Sequence, residues 1–289
     1  MKKLAVLALW FAVFPTVVSA NESGPPRLVL QITVDALRAD LPERFASHYG
    51  EGGWRYLLEQ GTRYTNALYE HANTETIVGH ASLATGAYPA DHGMVANVWL
   101  DREDGTLHYN IEDPDYVLLT AGGGVDADRE IDPTQRTARS DGRSPQAIRV
   151  STFGDELASH SGGRAKVFAV SVKDRGAVSM AGHAGKAFWF SKATGEFVTS
   201  SYYYDRYPDW VLKWNSARFP ARYGGAEWKL GGERVDYLFG DADEMPWETD
   251  FPGWGRTFPH AYGPADGKYF TTLLTLSPAG DELTLDFAK

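Results

Sequence analysis

The sequence predicts an α/β fold with a parallel sheet, because patterns typical of buried strands alternate with helical patterns along the chain. Residues 27–35, RLVLQITVD, form a nearly continuous apolar run that ends in an acid, and residues 165–172, AKVFAVSV, form a second run. Such runs are typical of strands that are buried on both faces of a parallel sheet. Ligands of open α/β sheets bind at the carboxyl ends of the strands, so we expect the functional residues there.

Helical patterns lie between and after these strands. One covers residues 45–58, and a short segment after it, 62–67, is predicted to be a second strand. Residues 144–160, SPQAIRVSTFGDELASH, predict a helix that begins with Ser144 as its cap and Pro145 at its first position.

Two regions lack clear periodicity. Residues 101–143 are rich in aspartate and glycine, which predicts a long irregular insertion. Residues 189–262 are rich in tryptophan, tyrosine, glycine and proline. We interpret this second region as an aromatic-rich cap beside the site, and the alternative is a loop-rich flank whose aromatic side chains simply pack.

The N-terminus predicts a cleaved secretory signal. Residues 1–20, MKKLAVLALWFAVFPTVVSA, join two lysines to an apolar run and end in Val-Ser-Ala, which favours cleavage after Ala20. The run is short for a bilayer span, so an uncleaved anchor is the less favoured alternative. We therefore expect an exported protein, periplasmic or secreted, without a stable membrane span after cleavage.

Composition narrows the chemistry. The 289-residue chain has a formal charge of −10 at pH 7, so no nucleic-acid binding is expected. The chain contains no cysteine, which excludes thiolate catalysis and cysteine-ligated zinc. If this acidic chain handles an anion, the positive charge must be local, from metal ions, a few Lys or Arg side chains, or helix N-termini.

Asp35 and Thr76 are candidate site residues with ordinary alternatives. Asp35 follows the first predicted strand, where an acid is often only a helix cap. Thr76 precedes Ile-Val-Gly-His, so it is either the N-cap of a helix or a nucleophile near helix N–H groups that favour a bound phosphate. A threonine hydroxyl attacks only with help from a base or a metal. Asn97 places an amide one turn-rich segment later.

Lys173 and Arg175 follow the second predicted strand. Alternate residues of a strand project from the same face, so both side chains can point one way while Asp174 points the other. A guanidinium fork and an ammonium group suit the non-bridging oxygens of a phosphoryl group. The alternative is an ordinary solvated strand end.

The histidines offer a weaker signal. Asp104 and His108 have an Asp-x-x-x-His spacing, but they lie in the irregular insertion among other acids, and we expect no metal site there. His92 lies in a turn and is expected to be structural. The other histidines considered as metal ligands are His80, His183 and His260.

Taken in order, these residues resemble the alkaline phosphatase superfamily. More closely, they are similar to the branch of bacterial alkaline phosphatases that use threonine as nucleophile, which is related to the type I phosphodiesterases and nucleotide pyrophosphatases. The resemblance runs from about Arg27 to the end of the chain. It implies a three-layer αβα fold with a mostly parallel central sheet. The residues that carry it are Asp35, Thr76 before Gly79-His80-Ala81, Thr85-Gly86, Pro89, His92-Gly93, Asn97 and Lys173-Asp174-Arg175.

The resemblance also implies a role for each residue. Thr76 would be the nucleophile and a zinc ligand, and Asp35 would bind the same zinc ion. Asn97, Lys173 and Arg175 would contact the phosphoryl oxygens. Two Zn²⁺ ions are the expected cofactors, a small phosphoester is the expected substrate, and a phospho-threonine is the expected intermediate.

One departure from the family pattern concerns the zinc ligands. The family takes the others from its C-terminal half: an Asp-x-x-x-His, an Asp-His pair and a further His. We find no counterpart of these in the 289 residues. We therefore expect residues 27–289 to be an incomplete, N-terminal part of the domain that lacks the C-terminal part of the fold and has little activity alone.

The functional prediction is hydrolysis of phosphate monoesters. The Lys-x-Arg pair favours monoesters, because the nucleotide pyrophosphatase branch lacks it. One alternative is a phosphodiesterase or nucleotide pyrophosphatase of the same superfamily. Another is a non-catalytic, exported module that binds phosphoesters.

Overall fold

The computed structural model describes residues 26–251 and 253–289, so the predicted signal at residues 1–20 lies outside the described residues. The chain divides into two units between Val34 and Asp35, and the second unit extends from Asp35 to Lys289. Among the described residues the longest α-helix has eleven residues, and none has the length and apolar character needed to cross a bilayer.

The described part of the first unit, residues 26–34, forms no strand. Leu28, Leu30 and Ile32 are 80%, 74% and 62% exposed. The prediction of a buried strand over residues 27–35 is therefore wrong in this structure. An apolar run indicates a tendency toward burial, but a strand also needs partner strands for its backbone N–H and C=O groups, and the run does not specify them.

The second unit is built from short elements. Its described α-helices are α1 Leu41–Arg44, α2 Trp54–Gln60, α3 Thr76–Thr85, α4 Pro89–His92, α5 Phe153–His160, α6 Asp174–Ala181, α7 Asp209–Ser216, α8 Phe270–Thr275 and α9 Pro278–Ala288. Its described strands are β1 Val98–Leu100, β2 Leu107–Tyr109, β3 Phe168–Ser171, β4 Lys186–Ser191, β5 Glu196–Val198, β6 Glu227–Trp228 and β7 His260–Ala261. Short 3-10 helices cover Ala46–His48, Gln135–Thr137, Phe219–Tyr223 and Arg234–Asp236.

A three-stranded sheet with helices on both faces forms the centre of this unit. Strand β3 pairs with β4 in parallel, and β4 pairs with β5 antiparallel. Successive residues of β4 enter different cores because side chains alternate along a strand. Trp189 joins the core that contains α3 and α6, and Phe190 joins the core that contains α7, α8 and α9. The α/β class predicted from the sequence is confirmed.

The aromatic side chains of the second half pack mainly in the latter core. Phe197 and Phe287 stack with ring centroids 4.1 Å apart, and Trp214 meets both rings edge-on. Trp254 stacks on His260 at 4.9 Å. The packing interpretation therefore accounts for these aromatic residues, whereas the role of residues 189–262 as a cap over the site stays a prediction.

Several predicted boundaries move in the structure. The strand predicted over residues 165–172 is present as the shorter β3, and the helical pattern over 45–58 is divided between a 3-10 turn and α2. No strand covers residues 62–67, where Tyr64 is 82% exposed, so that prediction is wrong. The segment lacks a partner strand, which its local pattern does not report. Residues 101–143 contain β2 and one 3-10 helix among turns.

The helix predicted to begin at Ser144 begins at Phe153 instead. Thr152 is its N-cap, and a capping box joins Thr152 to Asp155, with Oγ1 accepting from Asp155 N at 3.2 Å and Oδ2 accepting from Thr152 N at 2.8 Å. This box satisfies two free backbone donors. Ser144 instead donates a hydrogen bond from its hydroxyl to Asp113, in another part of the chain, and it lies outside the helix.

Asp155 also forms a hydrogen bond with His183, which lies two positions after the end of α6. His183 Nδ1 lies 3.0 Å from Asp155 Oδ2, and Nε2 lies 3.1 Å from the carbonyl oxygen of Ile148. The hydrogen bond to Asp155 raises the pKa of His183 above its usual value, and partial burial opposes this. The pair ties the start of α5 to the end of α6.

We expect His183→Gln to reduce the pH dependence of stability. A raised histidine pKa stabilises the fold fully below the unfolded value of about 6.5, and the contribution is lost as pH rises through the folded value. Urea unfolding between about pH 5.5 and 8.5 should show the variant less stable at the acid end, by up to about 1 kcal/mol for this partly exposed pair. Asp155→Asn removes the partner of His183 and should weaken the pH dependence of stability in the same way. A stability difference that is constant with pH would contradict this.

Candidate active site

Thr76 is the first residue of α3, and its neighbour Glu75 is the N-cap, without a capping bond from its side chain. The interpretation of Thr76 as the N-cap is therefore wrong, since the backbone enters the helix one residue earlier. The Thr76 hydroxyl donates to Asp35 Oδ2 at 3.2 Å, across 41 positions of sequence. The structure thus brings together two of the predicted site residues.

Asn97 supplies the capping interaction that Glu75 does not. Its Oδ1 accepts a hydrogen bond from Ile77 N at 3.1 Å, and its backbone N–H donates to the Glu75 carboxylate. Asn97 is buried, and its Nδ2 donates to no group in the described chain. An amide held by its oxygen beside Thr76, with its N–H₂ group unused, can donate to an oxygen bound there.

Lys173 and Arg175 converge on one acceptor, Asp132. Lys173 Nζ lies 2.5 Å and Arg175 Nη2 lies 3.2 Å from Asp132 Oδ2. They project together, as the alternating pattern predicts, but the reason differs. Helix α6 begins at Asp174 with Lys173 as its N-cap, so the pair lies at a helix start rather than on a strand end.

Asp174 points away from this pair, into the protein. It accepts hydrogen bonds from Tyr109 Oη at 2.7 Å, Gln135 Nε2 at 2.9 Å and Arg143 Nε at 2.7 Å. Burial raises the pKa of Asp174, but Arg143 and the Tyr109 hydroxyl outweigh it, so the pKa lies below its usual value. Asp174 is therefore an ionised anchor for the groups around Arg175.

Arg175 is almost completely buried, with 4% of its side chain exposed. Its Nη1 donates to Thr134 Oγ1 at 3.1 Å and to Tyr109 Oη at 3.3 Å. Its Nε is buried and has no hydrogen-bond partner within the described residues. Lys173, in contrast, keeps 37% of its side chain exposed, so the ammonium group is the solvent-facing member of the pair.

Helices α3 and α6 pack against each other. This packing connects Thr76, at the start of α3, with Lys173 and Arg175, at the start of α6. His80 Nδ1 donates to the carbonyl oxygen of Thr76 at 2.8 Å. Gly176 faces this histidine, where an added Cβ would lie 2.6 Å from Ser171 Oγ, too close for another residue without a shift. A second connection runs through the end of β2 and the residue after it. Asn110 donates to the carbonyl oxygen of Asn97 at 2.7 Å, and Tyr109 contacts Arg175.

The predicted zinc ligands do not form a zinc site by themselves. Within the described chain, Asp35 and Thr76 offer one carboxylate and one hydroxyl. Zinc ions want about four ligands each. The four other histidines considered as ligands have these contacts: His80 bonds to the Thr76 carbonyl oxygen, His92 contacts Ser82 and Met94, His183 contacts Asp155, and His260 stacks on Trp254.

Asp101, Asp104 and His108 do lie together, which the sequence did not lead us to expect. Their ligand atoms are within 4.8 Å of one another, because the β1–β2 hairpin brings Asp101 and Asp104 to the level of His108. This cluster could hold a metal ion. Arg139 Nη2 lies 3.5 Å from His108 Nε2 and adds a positive charge beside it.

Sequence reasoning missed Asp132, Tyr109 and Arg143. Asp132 stands in Asp-Pro-Thr, a turn-forming tripeptide, and its Oδ1 accepts from Thr134 N at 2.9 Å. The tripeptide could have been recognised in the sequence as a turn. The contact with Lys173 and Arg175, 41 and 43 positions away, could not be recognised in this way.

Comparisons with known proteins identify the family of the chain. The model of the family described as type I phosphodiesterase / nucleotide pyrophosphatase matches residues 29–251. The chain belongs to this family. Its relatives include alkaline phosphatase PhoV of Synechococcus elongatus, 32% identical over 280 residues, and alkaline phosphatase PafA of Elizabethkingia meningoseptica, 33% identical over 271 residues.

The matches cover nearly all of this chain and about half of each relative. They span 96% of this chain and 47% of PhoV, and 93% of this chain and 47% of PafA. The crystal structure of wild-type PafA superimposes with a TM-score of 0.73 at 31% identity, covering 86% of this chain and 46% of that chain. The chain therefore spans about half the length of the curated relatives it matches.

We expect the purified chain to retain less than one zinc ion after dialysis. The reason is that the described part of the chain offers Asp35 and Thr76 where about four ligands are needed. Elemental analysis of the chain and of His108→Ala would show this and would reveal any ion held by the Asp101–Asp104–His108 cluster. One or more zinc ions per chain retained by both the unaltered chain and His108→Ala would contradict the expectation.

Proposed function

We propose that this chain carries the nucleophile and the phosphoryl-binding groups of a phosphate-monoester hydrolase. The observation that carries the proposal is the meeting of Thr76 with Asp35 at the start of α3, 3.2 Å apart, beside the capping amide of Asn97. The relatives named alkaline phosphatases support it. The activity of those proteins belongs to chains about twice as long.

A second solved structure of PafA supports the choice of residues. It is a variant substituted at a threonine, an asparagine, a lysine and an arginine, and it superimposes with a TM-score of 0.75 at 30% identity. The threonine and asparagine are as far apart in that chain as Thr76 and Asn97 are here, and one residue separates the lysine and arginine in both.

The proposed chemistry is attack by Thr76 Oγ on phosphorus, in line with the leaving oxygen. The new Oγ–P bond forms as the ester P–O bond breaks, and water later hydrolyses the phospho-threonine. An unassisted hydroxyl is a weak nucleophile, and Asp35 is placed to accept its proton. The N-terminal end of α3 carries positive partial charge, which stabilises phosphoryl oxygens near Thr76.

The other groups act on the charge of the phosphoryl group. Asn97 Nδ2 would donate to one equatorial oxygen, and Lys173 with Arg175 would supply positive charge for a dianion. Such preorganised donors stabilise a transition state without having to reorganise as charge shifts.

Two zinc ions enter this proposal only through the resemblance. The described residues do not fit two ions, as the donor set at Asp35 and Thr76 shows, and no step above depends on a metal. We also propose export, from the signal pattern of residues 1–20.

The name of the matching family favours a second candidate, a phosphodiesterase or nucleotide pyrophosphatase. The incomplete zinc donor set favours a third, a non-catalytic module that binds phosphoesters through Asn97, Lys173 and Arg175. These three functions differ in measurable ways, through the choice of ester and through covalent phosphorylation of Thr76.

We expect Thr76→Ala to abolish covalent phosphorylation and turnover, by a factor on the order of 10³ or more, while Thr76→Ser keeps partial activity. The substitutions are introduced into the gene in its own organism, so that the protein tested is the native product with a single change. Acid quenching after reaction with p-nitrophenyl phosphate, followed by peptide mass spectrometry, locates the phosphate. Because Thr76 is not the N-cap, Thr76→Ala should cost less than about 1 kcal/mol of stability. Phosphate on another peptide would reject Thr76 as nucleophile.

We also expect the native protein to hydrolyse p-nitrophenyl phosphate faster than bis-p-nitrophenyl phosphate. Lys173→Ala should lower the monoester rate more than the diester rate, roughly ten-fold in their ratio, because a dianion loses more from a missing positive charge. Lys166→Ala removes an exposed lysine and serves as the control. A preference for the diester would favour the phosphodiesterase, and absence of turnover on both would favour the binding module.

A further inference from the structure

Asp132 is held from both sides in a fixed orientation. Its Oδ2 accepts hydrogen bonds from Lys173 and Arg175, and its Oδ1 accepts from Thr134 N at 2.9 Å and Thr134 Oγ1 at 2.6 Å. Only 12% of its side chain is exposed. Burial raises the pKa of Asp132, but the hydrogen bonds from Lys173 and Thr134 outweigh it and hold the pKa well below the usual value. The carboxylate is therefore a permanent negative charge.

Among the charged side chains around Lys173 and Arg175, Asp132 is the one whose negative charge reduces the net charge of this pair. Arg143 is bound to Asp174, and Lys192 is bound to Glu130, so each of these two pairs is neutral. The remaining charged groups in contact are Lys173, Arg175 and Asp132. Their sum is one positive charge, whereas Lys173 and Arg175 without Asp132 would carry two.

We propose that Asp132 is a specificity-determining residue, whose carboxylate lowers the charge of the Lys173–Arg175 pair and so moderates its preference for dianionic phosphate monoesters over monoanionic diesters. This inference rests on the proposed function, in which the pair binds the phosphoryl group. It adds that the same site is tuned to keep some affinity for diesters.

The physical basis is the Coulomb interaction with the bound anion. One unit charge at contact distance changes the affinity for a monoanion by about five-fold even at a water-like dielectric constant, and changes that for a dianion by about the square of this. The selectivity between the two anions therefore changes with each charge at the pair. The Arg175 guanidinium group is fixed beside Asp132, because it donates to Tyr109 and Thr134. Lys173 is partly exposed, so its ammonium group can turn toward a ligand.

The test is equilibrium binding of two probes to the chain, inorganic phosphate and dimethyl phosphate, at low salt and about pH 8, where the first is mainly a dianion. Asp132→Asn should raise the ratio of phosphate to dimethyl phosphate affinity about five- to ten-fold. Asp128→Asn makes the same chemical change at an exposed position of the same segment, and it should leave the ratio within about two-fold.

Asp132→Ser, which also removes the negative charge, provides a second test if Asp132→Asn does not fold, and a variant of opposite sign checks that the ratio follows the charge of the pair. Lys173→Met removes one positive charge while Asp132 and Arg175 remain, so the affinity ratio should fall about five- to ten-fold. If the chain binds both probes and a folded Asp132 variant leaves the ratio unchanged, this inference is overturned while the proposed function stands. If the unaltered chain binds neither probe, the phosphoryl-binding role of Lys173 and Arg175 fails and the inference fails with it.

Discussion

The buried ion pair of Asp174 and Arg143 is the interaction on which the candidate site depends. A carboxylate that is 3% exposed is stable only when it is paired and fully hydrogen-bonded, and Asp174 meets this condition with Arg143, Tyr109 and Gln135. These partners come from β2 and from the irregular segment after it. Removing one partner of such a pair typically costs roughly 3–5 kcal/mol. One side chain thus fixes where the long segment 101–143 lies against α6.

The site is assembled at the starts of two packed helices. Thr76 begins α3 and Lys173 precedes α6, and Gly176 of α6 faces His80 of α3 where the two helices pack. Helix starts are suited to anions because their free N–H groups and dipole carry positive partial charge. This arrangement provides local positive charge in a chain whose formal charge is −10. It is compatible with a phosphate ligand and with the chain's place among relatives named alkaline phosphatases.

The zinc ligands set a limit on what these residues do alone. Asp35 and Thr76 are brought together, yet a carboxylate and a hydroxyl fall short of the four ligands that a zinc ion wants. The chain spans about half the length of PhoV and PafA, so the activity of those proteins reaches this chain only as a proposal. The groups that contact the phosphoryl oxygens in the proposal are held by protein contacts: Asn97 accepts from Ile77 N, and Lys173 and Arg175 donate to Asp132.

The sequence by itself determined the α/β class, the strand before Lys173, the helix after Thr76 and the residue types of the candidate site. These follow from local patterns of apolar residues and from an ordered set of side chains. Only the tertiary structure decided that Leu28, Leu30 and Ile32 are exposed, that Asn97 rather than Thr76 caps α3, and that Asp132 binds both Lys173 and Arg175. Strand pairing, caps supplied from another segment and ion pairs across 41 positions depend on which segments meet in space, and no local pattern reports this.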